Sequence, residues 1–145
     1  QYMNSMLSVN YAKSNGYDEG LLLDTRGFIA EGSGQNIFIV KSGKVYTNDE
    51  SSSILLGITR ETIIQLCKEL NIEIIVKDLT LDELIDADEA FFSGTASEIT
   101  PIVSLDGKKI NSGEIGVITN QLKSLYMNIV LAKSDSHLPW LTFIK

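Results

Sequence analysis

The sequence predicts an α+β fold, with hairpins and helices in mixed order. Three observations carry this. Short alternating apolar runs are separated by glycine-bearing turns, longer stretches carry apolar residues at helical spacing, and strict βαβ alternation is missing. With 145 residues, 43% of them hydrophobic and 21% charged, the chain holds enough apolar material for one core, so residues 1–145 are expected to form a single domain. Neither an internal repeat nor a low-complexity linker divides it.

The elements follow in order. Tyr2 to Lys13 carries Met3, Met6, Leu7, Val9 and Tyr11 among polar residues, which predicts an amphipathic helix ending near Ser14-Asn15-Gly16. Gln1 is not an initiator methionine and no cap or leader precedes the helix, so the natural chain is expected to start further upstream. Leu21-Leu22-Leu23 and Phe28-Ile29-Ala30 form a hairpin about Asp24-Thr25-Arg26-Gly27, and Asn36 to Val40 with Lys44 to Thr47 form another about Lys41-Ser42-Gly43. A polar run, Asn48 to Ser53, leads to a helix beginning near Thr59, whose buried stripe is Ile63, Ile64, Leu66, Cys67 and Leu70. Ile72 to Val76 reads as a strand, Thr80 to Ile85 as a short helix and Ala90-Phe91-Phe92 as a buried strand. A hairpin around Asp106-Gly107 and a last helix from about Gly113 to Ala132 precede the tail His137-Leu138-Pro139-Trp140-Leu141.

Composition narrows the function. A net charge of -7 argues against nucleic acid or an anionic membrane as partner, since both recruit Lys/Arg-rich surfaces. No apolar run approaches the roughly 18 to 20 residues of a membrane span, and no signal peptide is read. Cys67 is the single cysteine, which excludes an internal disulfide and a thiolate metal site and fits a reducing compartment; its helical placement predicts a small core residue. His137, the single histidine, lies in a polar stretch without ligand spacing, so a solvated surface position and no metal are expected.

Three loops could carry chemistry. In Glu31-Gly32-Ser33-Gly34-Gln35-Asn36, a glutamate at the end of a buried strand could face a cavity, where its carboxylate would want a cation; alone, the loop also reads as a turn with a solvent-facing acid. In Leu56-Gly57-Ile58-Thr59-Arg60-Glu61, Gly57 permits close approach and Thr59 is the expected N-cap, leaving a helix start suited to phosphate or simply a capped helix. In Ser93-Gly94-Thr95-Ala96-Ser97-Glu98, Thr95 and Glu98 have capping-box spacing and offer a similar anion site. Together the loops point to a phosphate- or carboxylate-bearing ligand without a basic cluster to hold it, and to no particular reaction.

In their order and spacing these motifs resemble the fold-type IV pyridoxal-phosphate enzymes, specifically the branched-chain amino-acid aminotransferases. The resemblance runs from Tyr2 through the Glu31, Gly57 and Ser93-Gly-Thr-Ala-Ser-Glu-Ile-Thr-Pro101 strings to Trp140. It implies the C-terminal cofactor-binding domain of the D-amino-acid aminotransferase-like fold, a hairpin-rich, barrel-like sheet with surrounding helices, with pyridoxal 5'-phosphate as cofactor. By that resemblance Glu31 bonds the pyridine nitrogen, Tyr2 the phenolic oxygen, and Leu55 carries the ring. Gly57, Ile58, Thr59 and Thr95 hold the phosphate, and the Thr95-Ala96 turn receives the substrate carboxylate. The family's Schiff-base lysine would lie upstream of Gln1, as would a smaller N-terminal domain with a phosphate-binding arginine, so no catalytic residue is assigned here and the chain alone is expected to be inactive. The implied reaction of the intact enzyme moves the amino group of leucine, isoleucine or valine to 2-oxoglutarate, with an amino acid and a 2-oxo acid as partners. A cytoplasmic homodimer or higher homo-oligomer is expected. D-amino-acid aminotransferase and aminodeoxychorismate lyase share this machinery and are the alternatives within the fold, although the Ser93–Pro101 string and Trp140 favour the branched-chain reading. An alternative of another class is a non-catalytic stable fragment or self-associating module.

Overall fold

A computed structural model describes residues 2–143. Helix α1 (Met3–Ser14) leads into a hairpin of β1 (Leu21–Leu23) and β2 (Ile29–Gly32). β3 (Asn36–Lys41) and β4 (Lys44–Thr47) form the second hairpin. A 3₁₀ turn at Glu50–Ser52 then leads to α2 (Ile58–Glu69), β5 (Ile74–Val76) and the short α3 (Leu81–Ile85). β6 (Glu89–Gly94), β7 (Glu98–Pro101), the small hairpin of β8 (Ser104–Leu105) and β9 (Lys108–Lys109), and α4 (Val117–Val130) complete the order, with a second 3₁₀ segment at Asp135–Trp140.

The main sheet runs β5-β4-β3-β6-β7. Its pairs are antiparallel except β4 with β5, which are parallel because α2 provides the crossover between them. β3 lies at the centre and reads as an apolar run because both its faces are covered. Phe38 and Val40 face α2 and α4 in a cluster with Ile63, Leu66, Phe91 and Leu122, whereas Ile37 and Ile39 face Ile29, Leu79, Leu84 and Phe92 on the other side. Phe38 and Phe91, directly opposed in register, stack with centroids 4.9 Å apart. The fold is α+β, as the sequence predicts. Among the described residues the five strands form an open sheet flanked by two separate hairpins, where a barrel-like sheet was expected.

Several expectations change in structural terms. α1 forms, but Ala12 is its one buried residue; Met3, Met6, Leu7 and Tyr11 are all exposed. The N-cap of α2 is Gly57, so Thr59 is the second helical residue and not the cap. The predicted Thr95–Glu98 capping box does not exist, because β6 and β7 pair up to Gly94 and Glu98 and leave 95–97 as a hairpin turn with no helix after it. The capping box belongs instead to Thr80 and Glu83 at the start of α3. α4 begins at Val117, where the Glu89 carboxylate accepts the amides of Ile118 (3.0 Å) and Thr119 (2.7 Å).

His137 is buried, 8% exposed, and not a solvated surface residue. Its Nε2 meets Glu69 Oε2 at 2.9 Å, Nδ1 meets the Ser134 and Ser136 hydroxyls, and its ring packs edge-on to Trp140. The tail is thereby tied to the end of α2. Among the described residues, no helix is long and apolar enough to cross a membrane.

Candidate active site

The β2–β3 turn, the β6–β7 turn and the start of α2 converge on a cleft of about 380 Å³. Tyr2 and Ser5 line it from α1, Glu31 and Ser33 to Asn36 from the β2–β3 turn, Leu55 and Gly57 to Thr59 from the entry into α2, and Ser93 to Thr95 from the end of β6. Seven of the eight residues singled out in the sequence therefore share one cavity: Tyr2, Glu31, Leu55, Gly57, Ile58, Thr59 and Thr95. The eighth, Ala96, is exposed at the next position of the hairpin turn and does not line it. A larger hollow of about 610 Å³ lies between α1, β1 and the segment Thr100 to Asp106, and none of the eight residues borders it. Size is a poor guide here, since the smaller cleft holds the uncapped start of α2, whereas the helix that begins at Leu81 beside the larger hollow is capped by Thr80 and Glu83.

Glu31 comes from β2 and is half-buried. Desolvation raises its carboxyl pKa above the ordinary value, and the Leu55 amide, donating to Oε2 at 3.0 Å, offsets part of that. No cationic side chain pairs with it among the described residues, so a donor or cation entering the cleft would relieve the cost.

The approach to α2 is held from both ends. Leu55 gives its amide to Glu31, and its carbonyl accepts from Asn36 Nδ2 at 2.7 Å. Its side chain is left 72% exposed, available as a platform. Gly57 is needed immediately afterwards: a Cβ there would fall 2.4 Å from Asn36 Oδ1.

α2 itself starts open. Gly57 has no side chain to cap with, and the first helical amide to find a carbonyl is that of Glu61, 3.1 Å from Gly57 O. The amides of Ile58, Thr59 and Arg60 are left for an external acceptor, at the positive end of the helix dipole. The Thr59 hydroxyl makes no hydrogen bond among the described residues, although the residue is buried. Across the cleft, Gly94 lets the β6–β7 turn dock on the β2–β3 loop, since a Cβ would meet Ser97 Oγ at 2.7 Å and Gly34 O at 3.1 Å.

Buried polar atoms without partners gather here. Of the six such side-chain atoms among the described residues, those of Gln35 and Ser93 belong to residues lining the cleft, that of Ser97 lies beside it, and those of Asn48 and Arg60 lie behind it. Buried polar groups are ordinarily satisfied, so this concentration marks a place built for a polar ligand. Open amides at the start of α2 and, in the same cleft, a carboxylate without a cation fit a molecule with an anionic tail and a ring that donates a hydrogen bond.

Sequence reasoning missed Asn36, Asn48 and Arg60. For Arg60 a signal existed: with Ile63, Ile64 and Cys67 it falls on the buried stripe of α2, where a charge is out of place. Asn36 begins a strand whose other residues are mostly buried, and Asn48 had no local signal at all.

Comparison with known proteins gives the family. The family model described as amino-transferase class IV matches residues 1–105. The chain belongs to the class IV aminotransferase family. It is 47% identical to the branched-chain-amino-acid aminotransferase of Pseudomonas aeruginosa over 144 residues, which is 99% of this chain and 47% of that protein. A probable branched-chain-amino-acid aminotransferase of Aquifex aeolicus is 48% identical over 142 residues, 97% of this chain and 46% of that one. Among solved structures, the branched-chain amino acid aminotransferase of Thermobaculum terrenum in its PLP-form superposes with a TM-score of 0.94 at 42% identity, over 97% of this chain and 46% of that one. The Thermoproteus uzoniensis branched-chain aminotransferase with norvaline gives 0.93 at 46% identity, over 97% and 46%. The chain therefore spans about half the length of the relatives it matches. At these identities the class IV likeness extends to the fold of the neighbours, fold-type IV branched-chain aminotransferase chains.

Proposed function

We propose that the cleft binds pyridoxal 5'-phosphate and that residues 1–145 form the cofactor-binding domain of a branched-chain amino-acid aminotransferase. The observation that carries this reading is the presence, in one cleft, of the uncapped start of α2 and the half-buried Glu31 carboxylate. The cofactor supplies the electron sink for bond-breaking at the α-carbon of an amino acid. The chain's own groups bind and orient. Ile58 and Thr59 amides, the Thr59 hydroxyl and Thr95 hold the phosphate, with Gly57 giving the room. Glu31 holds a proton on the pyridine nitrogen, because a desolvated carboxylate is stabilised by a cation at contact. Leu55 supports the ring, and Tyr2 donates to its phenolic oxygen. The Thr95-Ala96 turn, at the edge of the cleft, receives the substrate carboxylate through its amides.

Among the described residues, no lysine lines the cleft. On the family resemblance, the lysine that joins the cofactor and moves the α-proton precedes Tyr2, so the 145-residue chain is expected to bind without transaminating. The full reaction is proposed as amino transfer from leucine, isoleucine or valine to 2-oxoglutarate. A D-amino acid donor, lyase chemistry on aminodeoxychorismate and a non-catalytic module are the competing readings. The exposed Tyr2, Met3, Met6, Leu7 and Tyr11 along α1 support association into a homodimer or larger homo-oligomer. A cytoplasmic location is part of the same proposal.

Titration calorimetry with pyridoxamine 5'-phosphate tests the binding. One site per chain is expected, with affinity lowered at least about tenfold in Thr59→Val, the loss of the one hydroxyl hydrogen bond to a charged phosphate. Absence of binding, or binding indifferent to Thr59, would overturn the reading.

A further inference from the structure

Arg60 is 6% exposed, yet it has no carboxylate partner among the described residues. Its Nη2 donates to the Asn48 carbonyl at 2.7 Å, and its Nε has no partner. Burial pulls its pKa below the usual guanidinium value. The acids whose charge reaches it are Asp49 and Glu61, and both are engaged elsewhere: Asp49 accepts from the Ser51 amide and hydroxyl, and Glu61 accepts from Gln65 Nε2. Buried charges are normally paired, because an unpaired one carries a large desolvation cost. Here a positive charge is buried in the first turn of α2, one residue after Thr59, where three helix amides are also left open.

Its one hydrogen bond leads toward the strand that carries Glu31. Asn48 Nδ2 donates to the carbonyls of Ile29 (2.8 Å) and Ala30, the two residues that precede Glu31 in β2. A single buried chain of contacts thus runs from the start of α2 through Arg60 and Asn48 to the strand that presents Glu31.

We propose that Arg60 is a positioning residue for the ligand of this cleft: its buried charge favours a phosphate at the start of α2 without touching it, and its bond to Asn48 fixes the distance from that phosphate seat to Glu31. The inference rests on the reading of the cleft given above and adds a buried cation, from the second of the three loops, to the open amides. A charge behind the helix start acts through protein and not through water, so it keeps its strength where a surface lysine would be screened.

The test compares pyridoxamine 5'-phosphate with pyridoxamine, which lacks the phosphate, by calorimetry on the protein and on Arg60→Met and Arg60→Lys. Arg60→Met is expected to weaken the phosphorylated ligand at least about tenfold while changing the unphosphorylated one less than about threefold, and Arg60→Lys, which keeps the charge, to recover most of the loss. If Arg60→Met does not fold, Arg60→Gln, neutral but still polar, makes the same comparison. Equal losses for both ligands, or Arg60→Lys as weak as Arg60→Met, would mean a purely structural arginine. Unchanged affinity in every variant would also overturn the inference and leave the cleft reading intact. Failure of the unaltered protein to bind pyridoxamine 5'-phosphate would remove the cleft reading itself, and the Arg60 inference with it.

Discussion

At the scale of single residues, Glu31 separates a binding role from a structural one. Its pKa is raised by desolvation, so the fold favours the protonated acid: the charged form costs stability above the raised pKa, and that cost disappears as pH falls below the ordinary carboxylate value. Glu31→Gln is therefore expected to be at least as stable as the unaltered protein at pH 7, with any advantage gone in acid, while its affinity for pyridoxamine 5'-phosphate falls about tenfold or more. Thermal melts and calorimetry across pH check both halves; a Glu31→Gln protein that melts lower at pH 7 and binds normally would make the carboxylate structural. Cys67 shows the opposite case. Apolar burial pushes its thiol up to about 11, which agrees with the core placement that helical spacing predicts. Cys67 was legible because helical spacing defines its position, whereas the local pattern at Glu31 also suited a solvent-facing turn and only the family resemblance singled the residue out. His137 was not: its partners Glu69 and Trp140 are supplied by tertiary folding, so a polar neighbourhood in sequence became a buried clamp.

At the scale of elements, the entry into α2 organises the cleft. Arg26 binds Asp78 and the Ser51 carbonyl, and Ser52 also donates to Asp78, so the β1–β2 turn, the 3₁₀ turn and the approach to α3 are joined just before Leu55. Asn36 and Glu31 then grip Leu55 by its carbonyl and amide. Gly57→Ala would force a Cβ against Asn36 Oδ1 and break that grip, for an expected loss of about 1–3 kcal/mol. Gly34→Ala, where a Cβ meets nothing within 4 Å, is the matched control and should be close to neutral. Urea denaturation of the two variants decides it, and equal midpoints would contradict the account of Gly57. Strand and helix existence was readable along the chain because periodicity is local. The Thr95–Glu98 capping box misled because its spacing also suits a hairpin turn, and only the pairing of β6 with β7 distinguishes the two. The caps lie elsewhere for a similar reason: Glu89, far from α4 in sequence, reaches its first amides only after the sheet has formed.

At the scale of the whole molecule, the fold sets the β2–β3 turn, the β6–β7 hairpin turn and one helix start around a shared cavity, each contributing groups that do little alone. Sequence order suggested that Tyr2, Glu31, Leu55, Gly57, Ile58, Thr59 and Thr95 belong together, and the fold gathers them. It could not reveal Asn48, and of Arg60 it showed only a charge on a buried stripe; their contacts connect β2, the residue after β4 and α2 across the core. The central claim is that this cleft receives the phosphate at α2 and the pyridine ring at Glu31. A crystal structure of the protein with pyridoxamine 5'-phosphate tests it most directly. The account predicts the phosphate on the amides of Ile58 and Thr59 and the ring nitrogen within hydrogen-bond distance of the Glu31 carboxylate. Ligand seated in the larger hollow beside α1, or a ring turned away from Glu31, would contradict it.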